Sequence, residues 1–262
     1  MNKSSSWKLF LALLVIGVST ASAYTFFTNP LPDVDIPSPF GSSSSKAVVI
    51  TSSKAPVAVT SSIAPTPTSP VSQPGSVRLE MDFASQAPLG SWDPPYDEAC
   101  EESSLIIVRH FLEGTALNPT IMNTEILAMV DHEESKGLPV DIDMKQLAIV
   151  AQEMFGYNTT VVEGSDVTAA RIEQELAKGN PVIVPLAGQD IGNPYYSGDG
   201  PPYHVLVILG YDGSNFITHD VGTKRGEYYS YAKQTIMDAI HDWNGSVDTI
   251  RSGPKRMLVV TK

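Results

Sequence analysis

From about Val77 the apolar positions fall into two regimes, helical spacing first and strand-like runs after. "VRLEMDF" alternates in the manner of an entering strand, and Asp97–Leu112 has the spacing of a helix. "NTEILAMVDHEESKG" and "DMKQLAIVAQEMFG" each repeat apolar residues at helical intervals and each end in glycine. "TTVVE" is a short strand. "DVTAARIEQELAKGN" reads as a helix capped by Asp166 and stopped by Gly179. "PVIVPL" is a buried strand, followed by the Gly/Pro-rich loop "AGQDIGNPYYSGDGPP". "YHVLVILGYDGSNFITHDVG" predicts a hairpin turning at Asp212-Gly213-Ser214. "GEYYSYA", "KQTIMDAIHDW" and "RMLVVT" close the chain as strand, helix and strand. Helices before antiparallel strands predict an α+β domain, a helical half packed on a sheet half.

The first 76 residues have another character. Lys3 and Lys8 precede the apolar run Leu9–Val18, and Ala21-Ser22-Ala23 has the small residues of a cleavage site, so 1–27 reads as a secretory signal. Leu9–Phe27 carries no charge and is long enough to cross a bilayer, so the same segment also reads as a retained membrane anchor. Either way the remainder is expected outside the cytoplasm. Residues 28–76 are dominated by Ser, Thr and Pro, a composition that buries too little apolar surface to offset chain entropy; they read as a linker or stalk. The expected folded domain is 77–262. "NTT" at Asn158 and "NGS" at Asn244 match glycosylation sequons.

A net charge of −12 argues against non-specific binding to nucleic acid. The only cysteine in the chain, Cys100, excludes an intramolecular disulfide, and metal-type cysteine spacings are absent; no metal or other cofactor is expected. A free cysteine is often just a small buried hydrophobe. Cys100, however, lies near the start of the helix expected from Asp97, where backbone N–H groups favour a thiolate. Four acids crowd it: Asp97, Glu98, Glu101 and Glu102. A rotation of about 100° per residue directs Glu101 and Glu102 away from the sulfur. Glu102 falls with Arg109 and Glu113 on the more polar side, as a first-turn charge. Glu101 falls over Leu105, Val108 and Leu112, which predicts partial burial with a hydrogen-bonding partner. Asp97 is the expected cap.

The cation that a thiolate needs is best supplied by His204, which opens "HVLVILGY" beside the flexible loop. His110 lies on another face of the Cys100 helix, and His132 and His241 fall in polar helical stretches. If Tyr211 pairs with Asn215 across the turn, His204 falls opposite Gly222 and Asp220 becomes its same-face neighbour. A slip of one residue puts His219 there instead. Gln86, in the irregular stretch before Cys100, is a candidate side-chain amide for an oxyanion.

Together these residues resemble cysteine peptidase family thirty-nine, the double-glycine leader peptidase type, and more closely its stand-alone relatives in exported bacterial proteins. "SQAPLGSWDPPYDEACEESS" is similar to their nucleophile block and "HVLVILGYDGSNFITHD" to their His-to-Asp block. The resemblance implies a papain-like fold. It implies Cys100 as nucleophile, His204 as base, Asp220 as orienting residue and Gln86 in the oxyanion hole. It also implies hydrolysis of peptide bonds. The expected export and stalk motivate one alternative, a cell-wall amidase or endopeptidase acting on peptidoglycan peptides; a non-catalytic binding module on the same scaffold is the other. Two features depart from the leader peptidases. Glu101 stands where they usually have glycine, and the 262 residues contain no transporter.

Overall fold

The structure, a computed structural model, describes residues 75–262. The expected signal or anchor, and all of the expected linker except Gly75 and Ser76, lie outside the described residues. Among the described residues no helix is long and apolar enough to cross a membrane.

In chain order the elements are β1 (Ser76–Arg78), α1 (Cys100–Glu113), α2 (Pro119–Lys136), α3 (Met144–Phe155), β2 (Asn158–Glu163), α4 (Ala169–Ala177) and β3 (Val182–Ala187). Then come β4 (Tyr203–Asp212), β5 (Asn215–His219), β6 (Tyr229–Ala232), α5 (Lys233–Ala239) and β7 (Arg256–Thr261). The predicted α+β order is the observed one. Local chemistry explains the helix starts. Asn118 accepts hydrogen bonds from Thr120 N and Ile121 N with Pro119 behind it, and Asp143 and Gln146 form a reciprocal capping box for α3. Two expected caps are displaced. Helix α1 begins at Cys100 behind Ala99, not at Asp97, and Thr168, not Asp166, caps α4.

The sheet is antiparallel throughout, in the order β2-β7-β3-β4-β5-β6. The entering strand is short: β1 pairs with β4 only at Gly210–Asp212, beyond the last β3–β4 pair at Ile208. Helices cover both faces of the sheet. Helices α1, α2 and α3 share one core with Ile183, Val205, Val207, Leu209 and Leu258. Helices α4 and α5 share the other with Val182, Val184, Leu206, Ile208 and Phe216. That is why β3 and β4 read as continuous apolar runs without alternation. In α1, Leu105, Ile106, Ile107 and Val108 are all buried, because the helix lies between the sheet and α2 and α3.

The β4–β5 hairpin corrects one expectation and rescues another. Asp212 pairs with Asn215 and Tyr211 with Phe216, so the turn is the two residues Gly213-Ser214, one step from the predicted pairing. Continued regularly, that ladder would misplace Asp220. A bulge at Leu209 restores the phase, and beyond it Ile208 pairs with Thr218 and Val207 with His219. The side chains record the shift: Val205, Val207 and Leu209 enter the first core, whereas Leu206, Ile208 and then Tyr211 enter the second. The Leu209 carbonyl accepts the Leu79 N–H at 2.9 Å, so β1 leans on the bulge.

Gly210 makes this approach possible, since a Cβ there would lie 2.4 Å from the Val77 carbonyl oxygen. Gly210→Ala is expected to push β1 off β4 at a cost of about 1–3 kcal/mol, lowering Tm by about 3–10 °C in thermal denaturation.

Candidate active site

Cys100 is the first residue of α1, so its N–H belongs to the helix turn that has no intrahelical acceptor. Its thiol does not stand clear of the acids. Cys100 Sγ donates to Glu101 Oε2 at 2.9 Å, and Glu101 Oε1 accepts the Ile142 N–H at 3.1 Å. The expectation that Glu101 points away from the sulfur therefore fails. Adjacent Cβ atoms diverge around a helix, but the longer Glu101 side chain curls back to the thiol. The expected burial of Glu101 holds and is complete, at 0% exposure. Glu102 is not a solvated first-turn charge either: it is 4% exposed beneath the second helical layer.

This setting opposes thiolate formation. Burial pushes the Cys100 thiol well above its ordinary range, and the Glu101 charge, its hydrogen bond and Glu102 add to the effect; a backbone hydrogen bond from Val205 works the other way. Burial, with the Glu102 charge, likewise raises the Glu101 carboxyl well above the usual carboxylate range.

His204 is the second residue of β4 and is 1% exposed. Its Nε2 lies 2.9 Å from Asp220 Oδ1, which leaves Nδ1 as the nitrogen not engaged by this pair. Backbone shapes the pocket around the ring: a Cβ at Gly222 would lie 2.9 Å from His204 Cε1, and one at Gly188 would lie 2.8 Å from His204 Cβ. His219 faces elsewhere, as expected for the register that selects Asp220. Its Nδ1 accepts the Tyr228 N–H, so its Nε2 carries the proton and donates to the Met81 carbonyl at 3.1 Å. Burial lowers the His219 pKa to about 4, keeping the ring neutral.

Asp220 is fully buried, and donors surround it. Besides His204, Oδ1 accepts the Gly222 N–H at 3.0 Å. Oδ2 accepts Asn193 Nδ2 at 2.9 Å, the Tyr196 hydroxyl at 2.8 Å and the Tyr231 hydroxyl. Burial alone would raise the Asp220 pKa, but the His204 charge, its hydrogen bond and the two tyrosines overcome it and hold the carboxyl at about 2. The Tyr196 ring meets the His204 ring edge-on, with centroids 5.7 Å apart. Tyr196 lies in the Gly/Pro-rich loop that the sequence places just before His204, but sequence reasoning missed Asn193 and Tyr231. Nothing in "GNPYY" or "YYSYA" marks them, because they meet Asp220 only through the tertiary fold.

Gln86 is held by its backbone N–H to the Val221 carbonyl at 2.9 Å. Its side chain differs from a free oxyanion donor. Nε2 donates to the Tyr96 and Asp97 carbonyls, both at 3.0 Å, while Oε1 is buried without a hydrogen-bond partner. Gln86, Cys100 and His204 line one cleft of about 550 Å³, with Asp97 and Glu98, and Lys224 and Arg225, also in its walls. Among the described residues, no group of three or more His, Cys, Asp or Glu side chains is arranged to hold a metal ion.

An antiparallel sheet with a cysteine at a helix mouth and a buried His–Asp pair is an arrangement suited to thiol chemistry. The chain belongs to the Peptidase C39 like family, whose model matches residues 78–249. Membership points to a cysteine-type peptidase. Among solved structures, a candidate C39-like peptidase from Bacillus anthracis is similar at 12% identity, covering 71% of this chain and 98% of that chain with a TM-score of 0.48. No curated protein sequence matches the chain.

Alkylation of Cys100 by iodoacetamide should rise with pH through a midpoint above the ordinary thiol range. Glu101→Gln removes a charge and offers an N–H to the sulfur. It is expected to lower that midpoint and speed labelling at pH 8 several-fold; an unchanged profile would show that Glu101 does not control the thiol.

Proposed function

We propose that this protein is an exported cysteine peptidase in which Cys100 attacks a peptide carbonyl. His204 serves as general base and acid, and Asp220 holds the imidazole. The observation that carries the reading is the convergence of Cys100, His204 and Gln86 on one cleft, with Asp220 at 2.9 Å from His204 Nε2. Because burial and flanking acids oppose a resting thiolate, the reaction starts from the protonated thiol, with His204 as the acceptor of its proton. The proton passes from Sγ to His204 as the sulfur bonds to the carbonyl carbon. The Cys100 N–H and one Gln86 amide N–H, exchanged from its backbone acceptor, stabilise the oxyanion. His204 then protonates the leaving amine, and water releases the acyl group from the thioester. The charge and apolar pattern of residues 1–27 supports export, and the composition of 28–76 supports a stalk.

One observation favours a second reading. The contact from Cys100 to Glu101 suits an inert thiol, and hence a non-catalytic binding module on a peptidase scaffold.

A peptidyl electrophile and a peptide panel that includes peptidoglycan peptides separate the readings. Cys100→Ala is expected to abolish labelling, and His204→Ala to abolish turnover. Gln86→Ala should lower kcat/KM on the order of a hundredfold. Equal labelling of wild type and Cys100→Ala would sink the peptidase reading; cleavage confined to the peptidoglycan peptides would identify a cell-wall endopeptidase.

A further inference from the structure

A further cavity, of about 330 Å³, shares the Asp97–Glu98 segment with the cleft. Its walls include Pro94, Pro95, Val130 and Leu138, and five acids line it: Asp97, Glu98, Glu102, Glu133 and Glu134. Glu102 and Glu133 are both 4% exposed, and each leaves one buried carboxyl oxygen, Glu102 Oε2 and Glu133 Oε1, without a hydrogen-bond partner. An unpartnered buried carboxyl oxygen is costly, and a donor or a positive charge relieves it.

We propose that this cavity is a binding site for a basic side chain of the lysine or arginine type, its apolar stem against the proline, valine and leucine walls and its cationic head between Glu102 and Glu133. The geometry selects this class. Of the acids that line the cavity, Glu102 and Glu133 are the two with a buried oxygen that lacks a hydrogen-bond partner, and among the described residues no set of three ligating side chains is arranged for a metal. An ammonium or guanidinium carries several N–H donors, enough for both oxygens. The mostly apolar walls fit a hydrocarbon stem that ends in such a head.

The empty pair has its own solution, which the site's occupant displaces. Burial raises both carboxyls, Glu133 to about 7, with the Glu101 charge acting on Glu133 and the Glu133 and Asp141 charges on Glu102. The hydrogen bond between the two carboxyls raises Glu102 and lowers Glu133, so the empty pair favours one shared proton. A bound cation favours the ionised form, so entry of the basic head expels that proton. This site stands apart from the reading of Cys100 as a nucleophile, and its test does not require turnover.

The test is calorimetric titration of the full chain with Nα-acetyl-lysine N-methylamide and, in parallel, with the norleucine analogue, which keeps the stem and lacks the charge. The lysine probe is expected to bind at least tenfold more tightly, and its apparent enthalpy at pH 7.0 should differ between phosphate and imidazole buffers in the sense of proton release. Glu102→Gln and Glu133→Gln should each weaken it at least tenfold, while Glu163→Gln at the end of β2 should not. Equal affinity for the two probes, no saturation of either, or a lysine preference without proton release would overturn the proposal, leaving Glu102 and Glu133 as a pair that shares a proton. The probe comparison and the proton count use the wild-type chain, so they decide the matter even if a variant fails to fold.

Discussion

Asp220 is a carboxylate with no exposure to water, and burying such a charge alone would cost several kcal/mol. The surrounding architecture can be read as the arrangement that makes its burial tolerable. Five groups reach it, from β4, from the loop before β4, from the segment just past β5 and from β6. Each bond fixes a part of the cleft: His204 in its ring plane, Tyr196 and Asn193 as the anchor of the loop, and Tyr231 as the tie to the outer strand. The carboxylate is thus a structural hub and the partner of the imidazole at once. It holds both parts because the Leu209 bulge returns β5 to the phase in which Asp220, rather than His219, reaches His204.

The other half of the cleft is governed by the opposite electrostatics. Around Asp220, donors and a histidine outweigh burial and keep a charge. Around the α1 N-terminus acids gather, and burial with their mutual charge pushes Glu101 and Glu102 toward the neutral form. The site therefore joins a fixed anion on the sheet side to a thiol and carboxyls on the helix side whose proton affinities burial raises. Such a division puts groups of separated proton affinity within one cleft region, which is what proton transfer requires.

How much of this was legible in the sequence follows from which forces are local. Helix and strand types were legible because apolar spacing is set by backbone period, and the Asp143 cap and the terminal glycines lie within a few residues of the helices they bound. His204 was legible as a polar residue at the mouth of an apolar strand. The register was legible only in part. The turn assumed for the hairpin was wrong by one residue, and a bulge that no short-range signal marks compensated for it. Glu102 was misread because a helical wheel distinguishes two faces of α1, whereas α1 is enclosed by the sheet and a further helical layer. Asn193 and Tyr231 escaped notice for the same reason: their partner is 27 and 11 residues away in the chain.

Glu101 concentrates the conflict between fold and chemistry. One of its oxygens accepts the Ile142 N–H just before α3, and the other accepts the Cys100 thiol. A residue without that reach, glycine included, would free the sulfur but leave the Ile142 N–H buried without its acceptor. The side chain that quiets the thiol therefore also secures the junction between α1 and α3, so local preference at this position cannot serve both ends. Conflicts of this kind are expected where a fold carries a reactive site. Because both duties rest on one carboxyl, its protonation changes the sulfur and the α3 approach together, and the reactivity of Cys100 is bound to the packing of the helical layer above it.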